Sequence, residues 1–199
     1  MTPEKKENCG LFGIYGGADA VEKTYFGLHS LQHRGQESAG IASSDGDVIQ
    51  CHTGMGMVSR VFRSSSGLLE KLANSIAIGH VRYSTTGSSQ VLNSQPLLCQ
   101  YCRGQVAVAH NGNLVNAPLL RSEYEAYGSI FKSTGDTEVI IHLLAKPAHS
   151  SKSDPLAHIL NHLQGAYCLL FLFPDRIEAA RDPFGIRPLC LGQTEKGYY

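Results

Sequence analysis

Short apolar runs, separated by turn residues, constrain the fold of this chain most strongly. Residues 76–83 and 105–110 are apolar and rich in β-branched side chains, which is typical of strands buried on both faces. The Asp45-Gly46 pair between two further runs is a hairpin signal. The predicted strands are 9–15, 38–44, 47–52, 76–83, 105–110, 166–173, 176–180 and 189–191, and the predicted helices are 21–32, 68–72, 118–127, 137–144 and 155–163. Strands, then helices, then strands again predict an α+β fold built in layers.

The charge balance excludes several kinds of partner. The chain of 199 residues has 17 basic and 17 acidic side chains, so it has no broad field to hold a phosphate backbone, and no nucleic acid is expected. No apolar run approaches the roughly 18 to 20 residues that span a bilayer, so we expect no membrane association. Glu4 and Glu7 dilute the basic N-terminus, and glycines interrupt the apolar segment after Cys9. A signal peptide is therefore not expected, and the sequence predicts a cytoplasmic protein.

The six cysteines are expected to be thiols in such a compartment. Cys99 and Cys102 form a lone C-x-x-C, and His158 and His162 lie four residues apart on a predicted helix. A metal site from these four is one interpretation, but their spacing fits neither a zinc ribbon nor a zinc finger, and we expect none. Cys9 differs, because it follows a charged octapeptide and precedes the first strand. A half-cystine, a lipid anchor, a core residue and a catalytic nucleophile are all open for Cys9 at this point.

Four polar clusters interrupt the apolar pattern. They are HRGQES at 33–38, HVRYSTTG at 80–87, HNGN at 110–113 and STGDT at 133–137. Each has an ordinary structural explanation: Asn111-Gly112 is typical of a hairpin turn, Asp136 of a helix N-cap and Arg82 of a surface ion pair. Together with Cys9 they supply the parts for cleaving the amide of an amino acid. Arg binds a carboxylate, Asp an ammonium, and a side-chain amide with a glycine N–H stabilises an oxyanion.

The longer motifs resemble those of a known family. Cys9-Gly-Leu-Phe-Gly, LQHRGQESAGI, GHVRYSTTG, AHNGNLVN, STGDTE and RDPFGIRPL occur here in the order they take in class II glutamine amidotransferases. HRGQESAG and RDPFGIRPL are most similar to the phosphoribosyl-transferring members. The resemblance runs from about Glu7 to the last residue. It implies the four-layer αββα sandwich of the N-terminal nucleophile hydrolases, here expected to lack its last strands.

The resemblance also implies roles for individual residues. Residues 1–8 are similar to a propeptide removed by cleavage between Asn8 and Cys9, after which the Cys9 thiol is the nucleophile and its freed α-amine the base. The Asn111 side chain and the Gly112 N–H would form the oxyanion hole. The implied substrate-binding residues are Arg82 for the glutamine carboxylate, Asp136 for its ammonium, and Thr85, Arg34 and Gly35 along the same pocket. His33, His80 and His110 allow a Cys–His dyad instead, but we expect them to be supporting residues.

The same resemblance implies how the domains are divided. Residues 9–199 would be a truncated glutaminase domain, with a phosphoribosyltransferase domain lying outside this chain. That domain would bring phosphoribosyl pyrophosphate, magnesium and a four-iron four-sulfur cluster, while this segment itself is expected to hold no cofactor. A homo-oligomer is expected at full length. Two alternatives stay open: an amidotransferase with a sugar-phosphate acceptor, and an unprocessed fragment without catalytic activity.

Overall fold

The computed structural model describes residues 9–63, 67–83, 90–195 and 197–199. The predicted propeptide and Thr85 lie outside the described residues. The strands are β1 (Gly10–Tyr15), β2 (Ser38–Ser44), β3 (Ile49–Met55), β4 (Ile76–Arg82), β5 (Leu97–Tyr101), β6 (Gly104–Leu114), β7 (Gly165–Leu172), β8 (Ile177–Arg181), β9 (Gln193–Thr194) and β10 (Gly197–Tyr198). The helices are α1 (Ala20–Ser30), α2 (Val58–Val61), α3 (Leu68–Lys71), α4 (Ala117–Ala126), α5 (Thr137–Ala145), α6 (Pro147–Ser150) and α7 (Pro155–Leu160).

The strands form two antiparallel sheets that pack face to face. The first has the order β3-β2-β4-β1-β10-β9, and the second β5-β6-β7-β8. Ile78 of β4, Ala109 of β6 and Leu170 of β7 belong to the core between the sheets. Helices α1 and α2 cover the outer face of the first sheet, and α4, α5 and α7 cover that of the second. This arrangement confirms the predicted αββα sandwich.

The layering explains why β4 is apolar without alternation. All seven of its residues are buried, because Ile76 and Ile78 face the other sheet while Ala77 and Val81 face the α1 layer. A strand covered on both faces has no exposed side on which polar residues would alternate. The prediction of a doubly buried strand is therefore confirmed for this segment.

The register of three strands builds one polar corner of the sandwich. Gly10 of β1 pairs with Val81 of β4, and Arg82 at the end of β4 pairs with Ser38 at the start of β2. Because β1 is antiparallel to β4, Cys9 lies at the level of Arg82. The HRGQES and HVRY segments are thereby brought to the start of β1.

Two expectations about secondary structure differ from the structure, and some short elements were not predicted. Asn111-Gly112 is no hairpin turn, because both residues lie inside β6. Residues 189–191 form no strand. Hydrogen bonds to Asp182 and Cys168 hold residues 184–188 in a loop, and backbone pairing with the end of the chain begins only at Gly192, which bonds Tyr199. β5, α2 and α6 were not predicted. The hairpins and the longer helices agree with prediction, including the Asp154 cap that accepts from Ala157 N–H at 2.9 Å.

Candidate active site

Cys9 is fixed between two neighbouring segments. Its thiol donates to the Tyr83 carbonyl at 3.6 Å, and the Tyr83 N–H donates to Sγ at 3.5 Å. The Arg34 Nε donates to the Cys9 carbonyl at 2.8 Å. The Cys9 carbonyl is thus held by the HRGQES segment, and its sulfur is held by Tyr83 at the end of β4.

A glycine allows the HRGQES segment to come this close. A Cβ at Gly35 would lie 2.6 Å from the carbonyl carbon of Arg82 and 2.7 Å from its oxygen. Both are backbone atoms, which cannot move aside without shifting β4. A larger residue at position 35 would therefore displace Arg34 from Cys9.

Arg82 is a buried residue rather than a surface one, so the surface ion-pair interpretation is wrong. Its side chain is 5% exposed, and Nη1 lies 2.5 Å from Glu37 Oε1. A charge-assisted bond of this kind fixes the guanidinium plane. The sequence alone indicates no role for Glu37, although this residue stands inside the HRGQES cluster. Its position two residues after Gly35 could have indicated the contact with Arg82, because an acidic side chain next to a buried strand needs a cationic partner.

Asp136 precedes α5, but its carboxylate does not cap that helix. Oδ2 accepts from the Leu114 N–H at 3.0 Å, and Oδ1 lies 3.3 Å from Nδ1 of His110. Burial raises the pKa of Asp136, but His110 and the Leu114 N–H outweigh it, and the pKa lies below its ordinary value. Asp136 is therefore an anion at neutral pH. Asp136 thus stands at the N-cap position of α5, as predicted, but its carboxylate contacts Leu114 and His110 instead of capping that helix.

The segment that carries Asp136 is held by buried polar side chains. Asn93 Oδ1 accepts from the N–H groups of Thr134 and Gly135 at 3.0 and 3.1 Å. Glu138 accepts from the Ser133 N–H at 2.7 Å. These contacts were not predicted, because Asn93 is about forty residues away in the chain.

Asn111 and Gly112 lie in β6 opposite Cys168 and Tyr167. Gly112 has φ +155°, and a Cβ there would lie 2.0 Å from the Ala166 carbonyl oxygen, so only glycine fits. Asn111 and Arg34 line one cavity of about 1040 Å³. Gly10, which follows the cysteine, lines it as well. The cavity is mostly apolar, and Cys9, Arg82 and Asp136 are not among the residues that line it.

The charges around Cys9 are mixed in sign. Burial raises the pKa of its thiol, and Asp136 raises it further, whereas the Tyr83 N–H, Arg82 and Arg34 lower it. The net effect is a raised pKa, so the thiol is protonated at neutral pH and needs a base to react. Arg82 and Asp136 are therefore both close enough for their charges to influence this pKa.

The three histidines have other partners. His33 is exposed, with Nδ1 3.1 Å from the Ser30 carbonyl. His80 Nε2 lies 3.1 Å from the His110 carbonyl, and burial lowers the His80 pKa to about 3. His110 contacts Asp136 as described. Within the described residues no imidazole is hydrogen-bonded to the Cys9 thiol, so a Cys–His dyad gains no support.

Residues 80–199 match the family of glutamine amidotransferase domains. The chain belongs to this family. As a glutamine amidotransferase domain it is similar, over 96% of its length, to amidophosphoribosyltransferase 2 of Arabidopsis thaliana at 49% identity and to the amidophosphoribosyltransferases of Bacillus subtilis at 46% and Methanocaldococcus jannaschii at 47%. It covers 34%, 40% and 41% of those relatives, so it spans well under half of their length.

Two solved structures share the fold of this glutamine amidotransferase domain. One is the glutamine phosphoribosylpyrophosphate amidotransferase of B. subtilis complexed with ADP and GMP, with TM-score 0.86. The other is described as the allosteric regulatory enzyme of purine biosynthesis, with TM-score 0.88. Each is 44% identical, and the match covers 94% of this chain and 40% of the other. The predicted N-terminal nucleophile hydrolase type of sandwich is confirmed.

The structure places Cys9, Arg34, Gly35 and Arg82 together at one corner, and the field of Asp136 reaches the same sulfur. Asn111 shares a cavity with Arg34, while the catalytic and binding roles of all these residues remain predictions. Thr85 lies outside the described residues. No helix in the described ranges is both long and apolar enough to cross a membrane.

Proposed function

We propose that this domain hydrolyses glutamine to glutamate and ammonia through a Cys9 thioester. The observation that carries the proposal is a half-buried thiol, bonded to Tyr83 after β4 and next to Arg34, on which the charges of Arg82 and Asp136 act. A free amino acid needs both signs, a cation for its carboxylate and an anion for its ammonium. Arg82 takes the first role and Asp136 the second, with Arg34 and Gly35 shaping the pocket wall.

The steps follow from these positions. Cys9 Sγ attacks the side-chain amide carbon, and the thiol proton passes to the base. The carbonyl oxygen becomes an oxyanion that accepts from the Asn111 side-chain amide and the Gly112 N–H. The C–N bond then breaks, the nitrogen takes the proton, and ammonia leaves. Water attacks the remaining γ-glutamyl thioester, which releases glutamate and restores the thiol.

The base is the α-amine of Cys9, set free when residues 1–8 are removed as a propeptide. An α-amine titrates near pH 7.7–8.0, close to the roughly 8.5 of an ordinary thiol, so the proton moves easily between them. The amide nitrogen of the uncleaved chain has no such basicity. The lack of an imidazole partner for the thiol among the described residues supports this assignment.

The similarity to amidophosphoribosyltransferases supports the fate of the ammonia. We propose that a phosphoribosyltransferase domain outside this chain combines it with phosphoribosyl pyrophosphate to make 5-phosphoribosylamine, the first committed step of purine synthesis. Magnesium and the four-iron four-sulfur cluster would belong to that domain, in a cytoplasmic homo-oligomer. Within the described residues the cysteines of this chain form no group of three or more candidate ligands, so none of them is assigned to the cluster.

An electrophilic glutamine analogue tests the glutaminase proposal. A chain that begins at Cys9 should take up one equivalent, located on Cys9 by peptide mass mapping, and excess glutamine should protect it. Cys9→Ser should take up none. Labelling that falls on Cys51 or Cys190, or that continues unchanged in Cys9→Ser, would contradict the proposal.

Two measurements separate the alternatives. Intact mass of the protein from its natural host should show loss of residues 1–8, and their retention would favour the non-catalytic fragment. Transfer of ammonia by the natural full-length protein to a sugar phosphate, but not to phosphoribosyl pyrophosphate, would favour the other amidotransferase class. Glutamine hydrolysis would be expected in that second case as well.

A further inference from the structure

Three histidines meet in the helical layer outside the second sheet. His149 lies on α6, His158 on α7, and His162 two residues after α7 ends. Their ring centroids are 4.8 to 5.2 Å apart. One ring nitrogen from each lies within 4.8 Å of the others, and this is the one such group of three or more candidate ligands in the part of the chain that is described.

We propose that His149, His158 and His162 bind a divalent transition-metal ion of the zinc class. The sequence predicted no metal site, and the proposal departs from that expectation. It also differs from the site considered there, because Cys99 and Cys102 do not join the group. His149 takes their place, nine residues before His158.

The buried member of the group points to a ligand. His149 is 8% exposed, and its Nδ1 has no hydrogen-bond partner. A buried polar atom without a partner is costly, so native folds usually supply one. A metal ion coordinated through Nδ1 would satisfy this nitrogen. Packing of three rings would explain their contact, but it leaves Nδ1 of His149 unsatisfied.

The backbone geometry suits coordination. His158 lies on α7, and a turn brings His162 next to it, since the His162 N–H donates to the Ile159 carbonyl at 2.9 Å. Tetrahedral coordination at 2.0–2.1 Å places ligand nitrogens roughly 3.3 Å apart, so the rings would close by about 1.5 Å at most. His162 is exposed and His158 half-buried, which leaves both rings room to turn toward His149. The fourth position would be taken by water.

The charges nearby select the kind of ion. Lys146 and Lys152 stand three residues to either side of His149, and both are joined to it by backbone hydrogen bonds. Two lysines oppose a cation held by charge alone, so the affinity must come from imidazole coordination. That favours zinc, copper, nickel or cobalt over magnesium or calcium.

The test is a titration with Co²⁺ under reducing conditions, followed by absorption spectroscopy and competition with Zn²⁺. We expect one equivalent per chain with visible bands of tetrahedral cobalt, displaced by zinc. Zinc at about a hundred times its Kd should raise the melting temperature by roughly 5 to 10 °C. His162→Gln changes an exposed ring, so this variant should fold. It should weaken binding at least tenfold and abolish the thermal shift.

His29→Gln is the matched control, because His29 is an exposed histidine on α1, far from α6 in the chain. It should bind as the unmodified chain does. Absence of binding by the unmodified chain would overturn the proposal. So would binding that His162→Gln leaves unchanged, in particular with the near-ultraviolet charge-transfer band of cobalt thiolates, since the ion would then be held by cysteines.

Discussion

Asp136 and Asp182 stand in two polar motifs of similar appearance, yet the fold uses their carboxylates differently. Asp182 is 1% exposed and accepts from four backbone N–H groups, those of Tyr167, Phe184, Ile186 and Arg187. Asp136 accepts from one backbone N–H, that of Leu114, and contacts His110. Its side chain keeps 11% exposure. The first carboxylate is saturated, whereas the second keeps capacity for a ligand.

The difference teaches how a structural acid can be told from the acid that is proposed to bind substrate. Four backbone donors leave Asp182 nothing to offer a substrate, so it serves to hold the 184–187 loop against β7. The Leu114 N–H and His110 orient the Asp136 carboxylate, and its charge acts on the Cys9 thiol. Identical Asp→Asn changes should therefore have different effects, with the larger loss of stability at Asp182 and the larger loss of glutamine turnover at Asp136.

Asp182→Asn should cause the larger loss of stability. Its new NH₂ group would face two backbone N–H donors, each of which loses its acceptor at about 1 to 3 kcal/mol. We expect unfolding to cost about 2 to 6 kcal/mol less and the melting temperature to fall by roughly 10 °C. Thermal denaturation followed by circular dichroism measures this. A melting temperature within 2 °C of the unmodified chain would show that Asp182 is not the anchor of the loop.

Asp136→Asn should leave the fold nearly intact and lower glutamine turnover. The Asn oxygen can still accept from the Leu114 N–H, but the anion that is proposed to pair with the substrate ammonium is gone. We expect kcat/KM for glutamine to fall on the order of a hundredfold, as for the loss of one partner of a buried charge pair. Steady-state ammonia release by a chain starting at Cys9 measures this. Unchanged kcat/KM, or a loss of stability as large as that of Asp182→Asn, would remove the distinction between the two residues.

Acid should act on Asp182 in a predictable direction. Burial raises the pKa of this carboxyl, but the backbone N–H groups outweigh burial and the pKa lies below the ordinary 3.8. A group with a depressed folded pKa adds stability above its unfolded pKa and loses it as pH falls through the folded value. The unmodified chain should thus lose stability below about pH 4, with a shallower loss in Asp182→Asn. Urea midpoints between pH 6 and 3 test this, and parallel curves would contradict it.

Asp154 gives the smallest expected effect. It is exposed and accepts one N–H, that of Ala157, as the N-cap of α7. Asp154→Ala should cost about 1 kcal/mol and leave glutamine turnover unchanged. Urea unfolding measures the change. A loss as large as that of Asp182→Asn would mean that the number of N–H donors does not determine how much each aspartate stabilises the fold.

The sequence predicted most of the layers because the sandwich leaves clear local signals. Doubly buried strands such as β4 are apolar at every position, and hairpins such as β2-β3 carry Asp-Gly turns. Short elements could not be predicted, because a helix of four residues such as α6 shows no periodicity. The pairing of strands could not be predicted either, since no local sequence pattern indicates that β1 lies between β4 and β10.

The site was predictable as a set of residues but not as a geometry. The family motifs supplied Cys9, Arg82 and Asp136 together. They did not show that Glu37 holds the Arg82 guanidinium, or that the Asp136 carboxylate turns from its own helix to Leu114. Those contacts depend on which strands meet, as does the meeting of His149 with His158 and His162.

The most direct test of the account compares two forms of the same chain. One begins at Cys9, made by removal of the initiator methionine from a Met-Cys start, and the other keeps residues 1–8, as verified by intact mass. If the Cys9 α-amine is the base, the first form should hydrolyse glutamine roughly 10² to 10⁴ times faster than the second. Equal rates would contradict the central claim that one residue supplies both the nucleophile and the base.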